Sequence, residues 1–456
     1  MGNHRSDRAH ELPQLAGLIS LEDFRTAVEH EDITTVMVCV PDMMGRLKGK
    51  RLNAFTFLDR VSKETTVSEA CAYILATNVD MDPLDDFNLT GWNQGFQDLG
   101  MVADLDTLRV LPYTPGLALV HCDAVQPDGT LLEIAPRRML RTQLDRLEEL
   151  GFQVRVGLES EFLLCNGRQP VTQHNLDYAL AHPPELSDFL RYVEAALPEA
   201  GVPVEATKTE GARGQLEITF PYGPALQACD NYTVYKQTVQ HLARRQALTA
   251  TFMSAPFTDV GSGLHLHLSL WRDGAPAFAA ASGEELPETM CHSIAGLLSG
   301  LPHLAPLYAP TPNSYKRYAT PHSFAPQYMN WGHDNRGCAV RVTGHGEGTH
   351  LEVRLPGADA NPYLVVAASL AAIVHGLTEK LTPPAPCRID AYTDRQAIPV
   401  ARDLDQAVAL FADSTFAESA FGAGVVRHYA IAAQAELAEH RRQVTDVERD
   451  RGFDRA

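Results

Sequence analysis

The sequence of 456 residues is short of the features that mark spanning, secreted or zinc-ribbon chains. Cys39, Cys71, Cys122, Cys165, Cys229, Cys291, Cys338 and Cys387 stand singly, with no Cys-x-x-Cys pair. That spacing argues against a zinc ribbon or a compact disulfide scaffold and fits a reducing compartment. Long hydrophobic runs are missing too: the longest, Leu364 to Val374, is broken by Ser369 and is too short to cross a bilayer. A soluble, cytoplasmic protein is expected. Positive charge is scarce, with 38 basic against 57 acidic residues and a formal charge of -19. Such a surface repels nucleic-acid backbones and anionic membranes and favours cationic or metal-bound ligands. No G-x-x-x-x-G-K-[ST] loop and no Rossmann fingerprint occurs, so any nucleotide must be held in another way.

The length suits one very large domain or two to three ordinary ones, and 45% hydrophobic residues supply a large core. Residues 1 to 16 read as a loose tail. Thr34 to Val40 reads as a strand running into a turn at Pro41 to Gly45. From Asn78 to Tyr113 the chain is rich in Asp, Gly, Asn and Pro, and the Leu111–Gly116 cluster (LPYTPG) reads as a domain boundary, giving units 17–113 and 114–456. Helices are expected over Pro136 to Leu150, over Asp230 to Met253 with Asp230 as its cap, and over Asn361 to Leu381.

Four segments share one peculiarity. Strict alternation in Leu264 to Leu270 puts the leucines on one face of a strand and His265, His267 and Ser269 on the other. Glu159 and Glu161 share a face of Val156 to Phe162. Glu217 opposes Leu216, Ile218 and Phe220, and Glu352 with Arg354 opposes Leu351, Val353 and Leu355. Each alone reads as a strand with one wet face. Together the polar positions are chemically narrow, and none of the four segments places a Lys there. In one sheet these carboxylates would raise one another's pKa unless cations lay between them, and oxygen ligands with one His favour Mg2+ or Mn2+ over structural zinc. Arg317, Arg336 and Arg341 lie in segments that would supply bidentate donors to phosphate or carboxylate. Metals with arginines describe phosphoryl transfer from a nucleotide.

On these residues the chain resembles the glutamine synthetase superfamily, from about Thr34 to beyond Leu381. The motifs are Gly157–Phe162 (GLESEF), Glu210 followed by Gly214–Glu217 (GQLE), Gly261–Leu270 (GSGLHLHLSL), Asn313–Arg317 (NSYKR), Asn335–Arg336 with Arg341, and Glu352–Arg354 (EVR). The resemblance implies an α+β fold: an N-terminal β-grasp domain and a glutamine-synthetase-type catalytic domain with a curved antiparallel sheet and flanking helices. It further implies a homo-oligomer of two stacked rings, a dodecamer, with active sites between neighbouring subunits. Carried over position by position, Glu161, Glu210 and Glu217 would bind one metal, and Glu159, His265 and Glu352 a second. Arg336 and Arg341 would face ATP phosphates, with Glu205, Tyr222, His267 and Ser269 lining the nucleotide site. Arg317, Arg354 and Gly261 would hold glutamate, and Arg317, Arg336 and Arg354 would serve the chemistry.

Departures matter as much. Val260 stands where the family usually has Asn, and Glu347 and His350 fall where a Lys and an Arg usually contact nucleotide. The Gly344–Gly348 loop and the Pro356–Tyr363 segment look more like the glutamate:amine ligase branches, including gamma-glutamylpolyamine synthetases. In glutamine synthetases a flap carries a Glu just before Ala-Pro, and an Asp-Gly-Ser-Ser segment supplies an Asp. Here the flap has Phe324 before Ala325, and no Asp-Gly-Ser-Ser occurs. Phe324 suits the methylenes of an alkyl amine. The resemblance therefore implies an ATP-dependent ligase joining the glutamate γ-carboxylate to an organic primary amine, a polyamine or a small amine such as ethanolamine, through a γ-glutamyl phosphate. The alternatives are a glutamine synthetase using ammonia, a non-catalytic relative, or another kinase on the same architecture. Tyr392 is expected to be an ordinary surface residue.

Overall fold

The computed structural model describes residues 16–280 and 285–455; most of the expected tail lies outside them. The chain forms two sheets of different character. The first runs in the order Gly17–Leu18, Arg109–Val110, Leu117–Val125, Thr35–Pro41, Leu47–Asn53, with Asp98–Ala103 also pairing to Leu117–Val125 and Ser68–Cys71 beyond it. Thr35–Pro41 and Leu117–Val125 are parallel, Met37 opposite Leu119, while the hairpin to Leu47–Asn53 is antiparallel. With helices Leu21–Glu29 and Ala54–Lys63 packed through Phe24 and Phe57, this is the β-grasp arrangement. The hairpin turns at Gly45, whose φ of 74° suits glycine.

This sheet corrects the boundary at 113/114. The Leu111–Gly116 cluster is a turn within the N-terminal unit, because the next strand returns to the middle of the same sheet. Turn composition marks a reversal of the chain whether or not a domain ends there.

The second sheet runs Ala206–Thr209, Gln215–Thr219, Gln153–Asn166, Leu264–Arg272, His350–Val353, Val340–Thr343, Trp331–His333; all neighbours are antiparallel except the last pair. Its apolar face carries Leu158, Phe162, Leu264, Leu266, Leu268 and Leu270, all essentially inaccessible. Phe162 stacks on Phe252 and meets Phe189 and Tyr235 edge-on, which seats helices Pro184–Glu199 and Ala225–Arg245 behind the sheet.

Helix Pro136–Glu149 starts on its proline as expected, and Pro362–Thr378 is capped by Asn361. Asn361 also donates to the carbonyls of Asp42 and Met43, tying the two units together. The third helix differs: it spans Ala225–Arg245, opening after Pro224, and Asp230 sits in its second turn. Asp230 is buried there, accepting from Arg137 and from Tyr363 Oη at 2.6 Å. A cap-type residue one helical turn inside the helix imitates its start, since an internal ion pair leaves no local signal in sequence.

Among the described residues no helix is long and apolar enough to cross a membrane, and all eight cysteines are free.

Candidate active site

The polar face of the second sheet gathers the expected residues by register. Glu159 pairs with His265, Glu161 with Glu217, His267 with both Gly157 and Glu352, and Arg341 with Glu352. The centre of this face is not wet: His265 is 3% exposed, Glu217 5% and Glu352 0%, while Glu159, Glu161 and His267 are partly exposed. His265 Nδ1 lies 2.6 Å from Glu159 Oε1 and 3.8 Å from Glu352 Oε1. Two sets of ligand atoms, one from Glu159, His265 and Glu352 and one from Glu159, Glu161 and Glu217, each fall within 4.8 Å of one another. Glu159 belongs to both.

The electrostatics agree with cation binding. Burial, reinforced by the charge of Glu159 and by Glu210, pushes the Glu217 carboxyl up to about 10. Burial also pushes Glu159 up, but the His265 and His267 rings outweigh it and hold the carboxyl below its usual range. Glu352 is likewise lowered despite its burial, chiefly by Arg354 and His265. A divalent cation among these oxygens would oppose the burial and repulsion that raise the Glu217 pKa. The donor set, carboxylates with one imidazole and no thiolate, suits a hard ion.

Glu210 is placed differently. Its carboxylate meets Lys208 Nζ, which also stands 3.5 Å from Glu217 Oε2 and 4.4 Å from the Tyr178 ring centre. Among the described residues Glu210 joins neither three-residue set. Sequence reasoning missed Lys208, and with it Gln215, whose Nε2 donates to Glu161 Oε2 at 3.0 Å and to the Gly261 carbonyl at 2.9 Å. Gln215 was legible: it stands two residues before Glu217, on the same face.

From the Glu159 end a cavity of about 570 Å³ opens along the sheet, lined by Glu205, Tyr222, His267, Ser269 and Trp271, with Arg155 and His350 at its walls. His350 Nδ1 is 2.7 Å from the Gly348 carbonyl, which can only accept, so its Nε2 accepts from His267 Nδ1 at 2.9 Å. Burial lowers the His350 pKa, consistent with a neutral ring. His267 Nε2 then faces Glu159 Oε2, 3.4 Å away.

The arginines divide. Arg341 donates to Glu352 Oε2 at 2.9 Å and also meets Asp334, so its guanidinium turns toward the carboxylates and does not line the nucleotide-sized cavity. Arg336 lines a separate cavity of about 570 Å³ with Phe324, His333, Asp334, Arg388 and Ile389. Arg354, buried, pairs with Glu352 and donates from Nε to the Arg336 carbonyl. Arg317 donates to the carbonyls of Arg354 and Leu355 and lies 3.4 Å from His265 Nε2. With Gly261 it lines a third cavity of about 610 Å³ that reaches Ser323 of the flap. Gly263 lies against both side chains: a Cβ on it would stand 2.7 Å from His265 Nε2 and 2.9 Å from Arg317 Nη2, so one of them would have to shift. The sequence alone made the Gly261–Gly263 triplet look like a plain turn.

The flap places Phe324 63% exposed with a left-handed φ of 60°. Its neighbour His322 pairs with Asp390 at 2.8 Å and packs on Tyr392, so Tyr392 is a half-buried support of the flap and not a plain surface residue.

Residues 133–452 match the family model described as glutamine synthetase, catalytic domain. The chain belongs to the glutamine synthetase family. It is 40% identical over 450 residues to the gamma-glutamylethanolamide synthetase GlnA4 of Streptomyces coelicolor, covering 96% of each chain. To the glutamate–isopropylamine ligase of a Pseudomonas species it is 32% identical over 431 residues, 91% of this chain and 93% of the relative. A solved structure titled GmaS/ADP complex superposes with a TM-score of 0.83 at 27% identity, covering 94% of this chain and 99% of that one.

Proposed function

We propose that this family member is an ATP-dependent ligase that joins the γ-carboxylate of glutamate to an organic primary amine. The observation that carries the reading is the composite site. A buried carboxylate and histidine cluster lies at the inner end of a nucleotide-sized cleft, and an aromatic flap residue, Phe324, stands where the family resemblance implies a Glu in a glutamine synthetase. Support comes from the two amine-using relatives and from the ADP-bound neighbour.

Glu159, Glu161, Glu217, His265 and Glu352 would hold Mg2+ or Mn2+, with Glu210 in reach once Lys208 moves aside. The bound ions supply neutralisation of phosphate charge. The cleft aligns ATP with its phosphates toward Glu159 and its nucleoside toward Tyr222 and Ser269. Arg317 and Arg354, held rigidly by backbone carbonyls and Glu352, orient the glutamate carboxylates. A γ-carboxylate oxygen then takes the terminal phosphoryl group, releasing ADP. The free amine attacks the acyl carbon, phosphate leaves, and the surplus amine proton passes to solvent or base. Arg336 stands on the flap side, where it would meet the departing phosphate. Polyamine and ethanolamine are both organic primary amines; the relatives favour a small one. Assembly as stacked rings and residence in the cytoplasm complete the proposal.

The test is glutamate- and ATP-dependent phosphate release with ammonium, ethanolamine, isopropylamine and putrescine, each corrected for its free-base fraction. An organic amine should give the highest kcat/KM; a clear preference for ammonium would make the protein a glutamine synthetase instead.

A further inference from the structure

The polar face of the two central strands is a ruler. Its successive rows are Glu159 with His265, Gly157 with His267, Arg155 with Ser269, and Gln153 with Trp271. Rows on one face are about 7 Å apart. Arg155 therefore sits roughly 13 Å from the carboxylate cluster, a span comparable to an extended triphosphate and sugar. Between them Gly157 leaves the floor open, with nothing closer than 3.6 Å to where its Cβ would be.

At that distance the wall of the cleft is an unusual stack. The Arg155 guanidinium lies 4.1 Å from the Trp271 ring centre and 5.9 Å from that of Tyr222. Trp271 is held by its own Nε1–H, which donates to Ser269 Oγ at 2.9 Å. Two carboxylates, Glu205 and Glu347, line the same cavity, yet neither pairs with Arg155 among the described residues. A guanidinium over an indole, its N–H donors without a partner among the described residues, in a protein of net charge -19, is a binding surface awaiting acceptors.

We propose that Arg155, backed by Trp271, grips the nucleoside of a purine nucleoside triphosphate, its face against the base and its edge donating to sugar oxygens. This rests on the ligase reading above and deepens it. Arg155 acts in binding alone, far from the transferring phosphate, so its contribution is equal in ground and transition states. Purines gain more than pyrimidines, since the larger ring covers more of the platform.

The experiment compares wild type with Arg155→Met and Arg155→Lys in the full-length protein with Mg2+, measuring binding of ADP and of inorganic tripolyphosphate by calorimetry, then steady-state kinetics. The expected result is an ADP dissociation constant raised about tenfold by Arg155→Met and less by Arg155→Lys, as loss of a stacked cation should give. Tripolyphosphate binding should be unchanged, which also shows that the fold and phosphate end are intact. KM for ATP should rise with kcat and KM for glutamate held, and the preference for ATP over CTP should shrink. Equal ADP affinity in wild type and both variants overturns the role of Arg155 while leaving the ligase reading in place. Wild type that binds no nucleotide overturns both. Equal loss of ADP and tripolyphosphate binding, even with kcat intact, makes Arg155 a structural residue and also refutes the proposal.

Discussion

His265 and Glu159 meet across two antiparallel strands, Nδ1 to Oε1 at 2.6 Å, at the point shared by both candidate metal sets. A contact so placed serves a bound ion more than the fold, since the leucines on the other face carry the packing. His265→Ala should therefore lower ligase activity by more than tenfold at saturating Mn2+, a barrier increase above about 1.4 kcal/mol. Far-UV circular dichroism should stay unchanged, and Mn2+ affinity measured by calorimetry should fall. A variant that retains more than a tenth of the rate is incompatible with a metal role.

Lys208 supplies a second test. Its ammonium stands between Glu210 and Glu217, and those carboxylates raise its pKa although burial opposes them. Lys208→Met removes a competitor for the cation and leaves the carboxylates uncompensated in the metal-free protein. The variant should bind Mn2+ roughly tenfold more tightly, as loss of one nearby like charge implies, and its metal-free form should melt at lower temperature than wild type. Unchanged affinity would mean that Lys208 does not share the ion's position.

The polar face was legible because side chains alternate on a strand, so four short segments exposed Glu159, Glu161, Glu217, His265 and Glu352 without knowledge of the fold. Arg155 escaped because it precedes by one residue the segment recognised as alternating. Lys208 escaped because Ala206–Thr209 is a four-residue strand with no apolar rhythm. The four segments carry no Lys on this face; the strand beside them, Ala206–Thr209, places Lys208 opposite Glu217. Strand order and the distance between Arg341 and the cleft depend on long-range pairing, which no local pattern encodes. The misplaced helix start at Asp230 has the same origin, its partner Arg137 lying 93 residues away.

Acid should weaken the junction between the two units. His121, in the first sheet, lies 2.9 Å from Thr233 Oγ1 of the helix behind the second, and His428 Nε2 is 2.8 Å from the Leu75 carbonyl. Burial lowers both to about 4 from an ordinary 6.5. The unfolded chain then takes up protons first as pH falls, so the stabilisation is complete above pH 6.5 and is lost progressively down to about 4. Each ring contributes at most about 3 kcal/mol to this slope. Thermal melts from pH 7.5 to 4.5 should show falling stability, and His428→Gln, which keeps a donor toward Leu75 without a titrating ring, should flatten the curve. A variant as acid-sensitive as wild type would remove His428 from the account.

Phe324 offers the sharpest test of acceptor choice. By the family resemblance it occupies the flap position expected to carry a Glu in a glutamine synthetase, and it borders a cavity whose arginines, Arg336 and Arg388, discourage a free small cation. Asp334, the carboxylate in that wall, is committed to Arg341, which holds its pKa down. A neutral alkyl tail can pack on the Phe324 ring, whereas ammonium finds neither apolar surface to gain from nor an uncommitted carboxylate to hold it. Phe324→Glu reverses both conditions. Because Phe324 is largely exposed and already in a left-handed conformation, the substitution asks nothing new of the core. It should raise kcat/KM for ammonium relative to ethanolamine by at least about tenfold, the discrimination expected when a charged partner for the small cation replaces an apolar surface for the alkyl tail. Phe324→Leu, which keeps an apolar side chain, should leave the preference for the organic amine largely in place. The two ratios are measured at fixed pH with each amine's free-base fraction taken into account. If Phe324→Glu and Phe324→Leu move the ratio equally, the flap residue does not read the acceptor, and the choice of amine must be made elsewhere in the cavity wall.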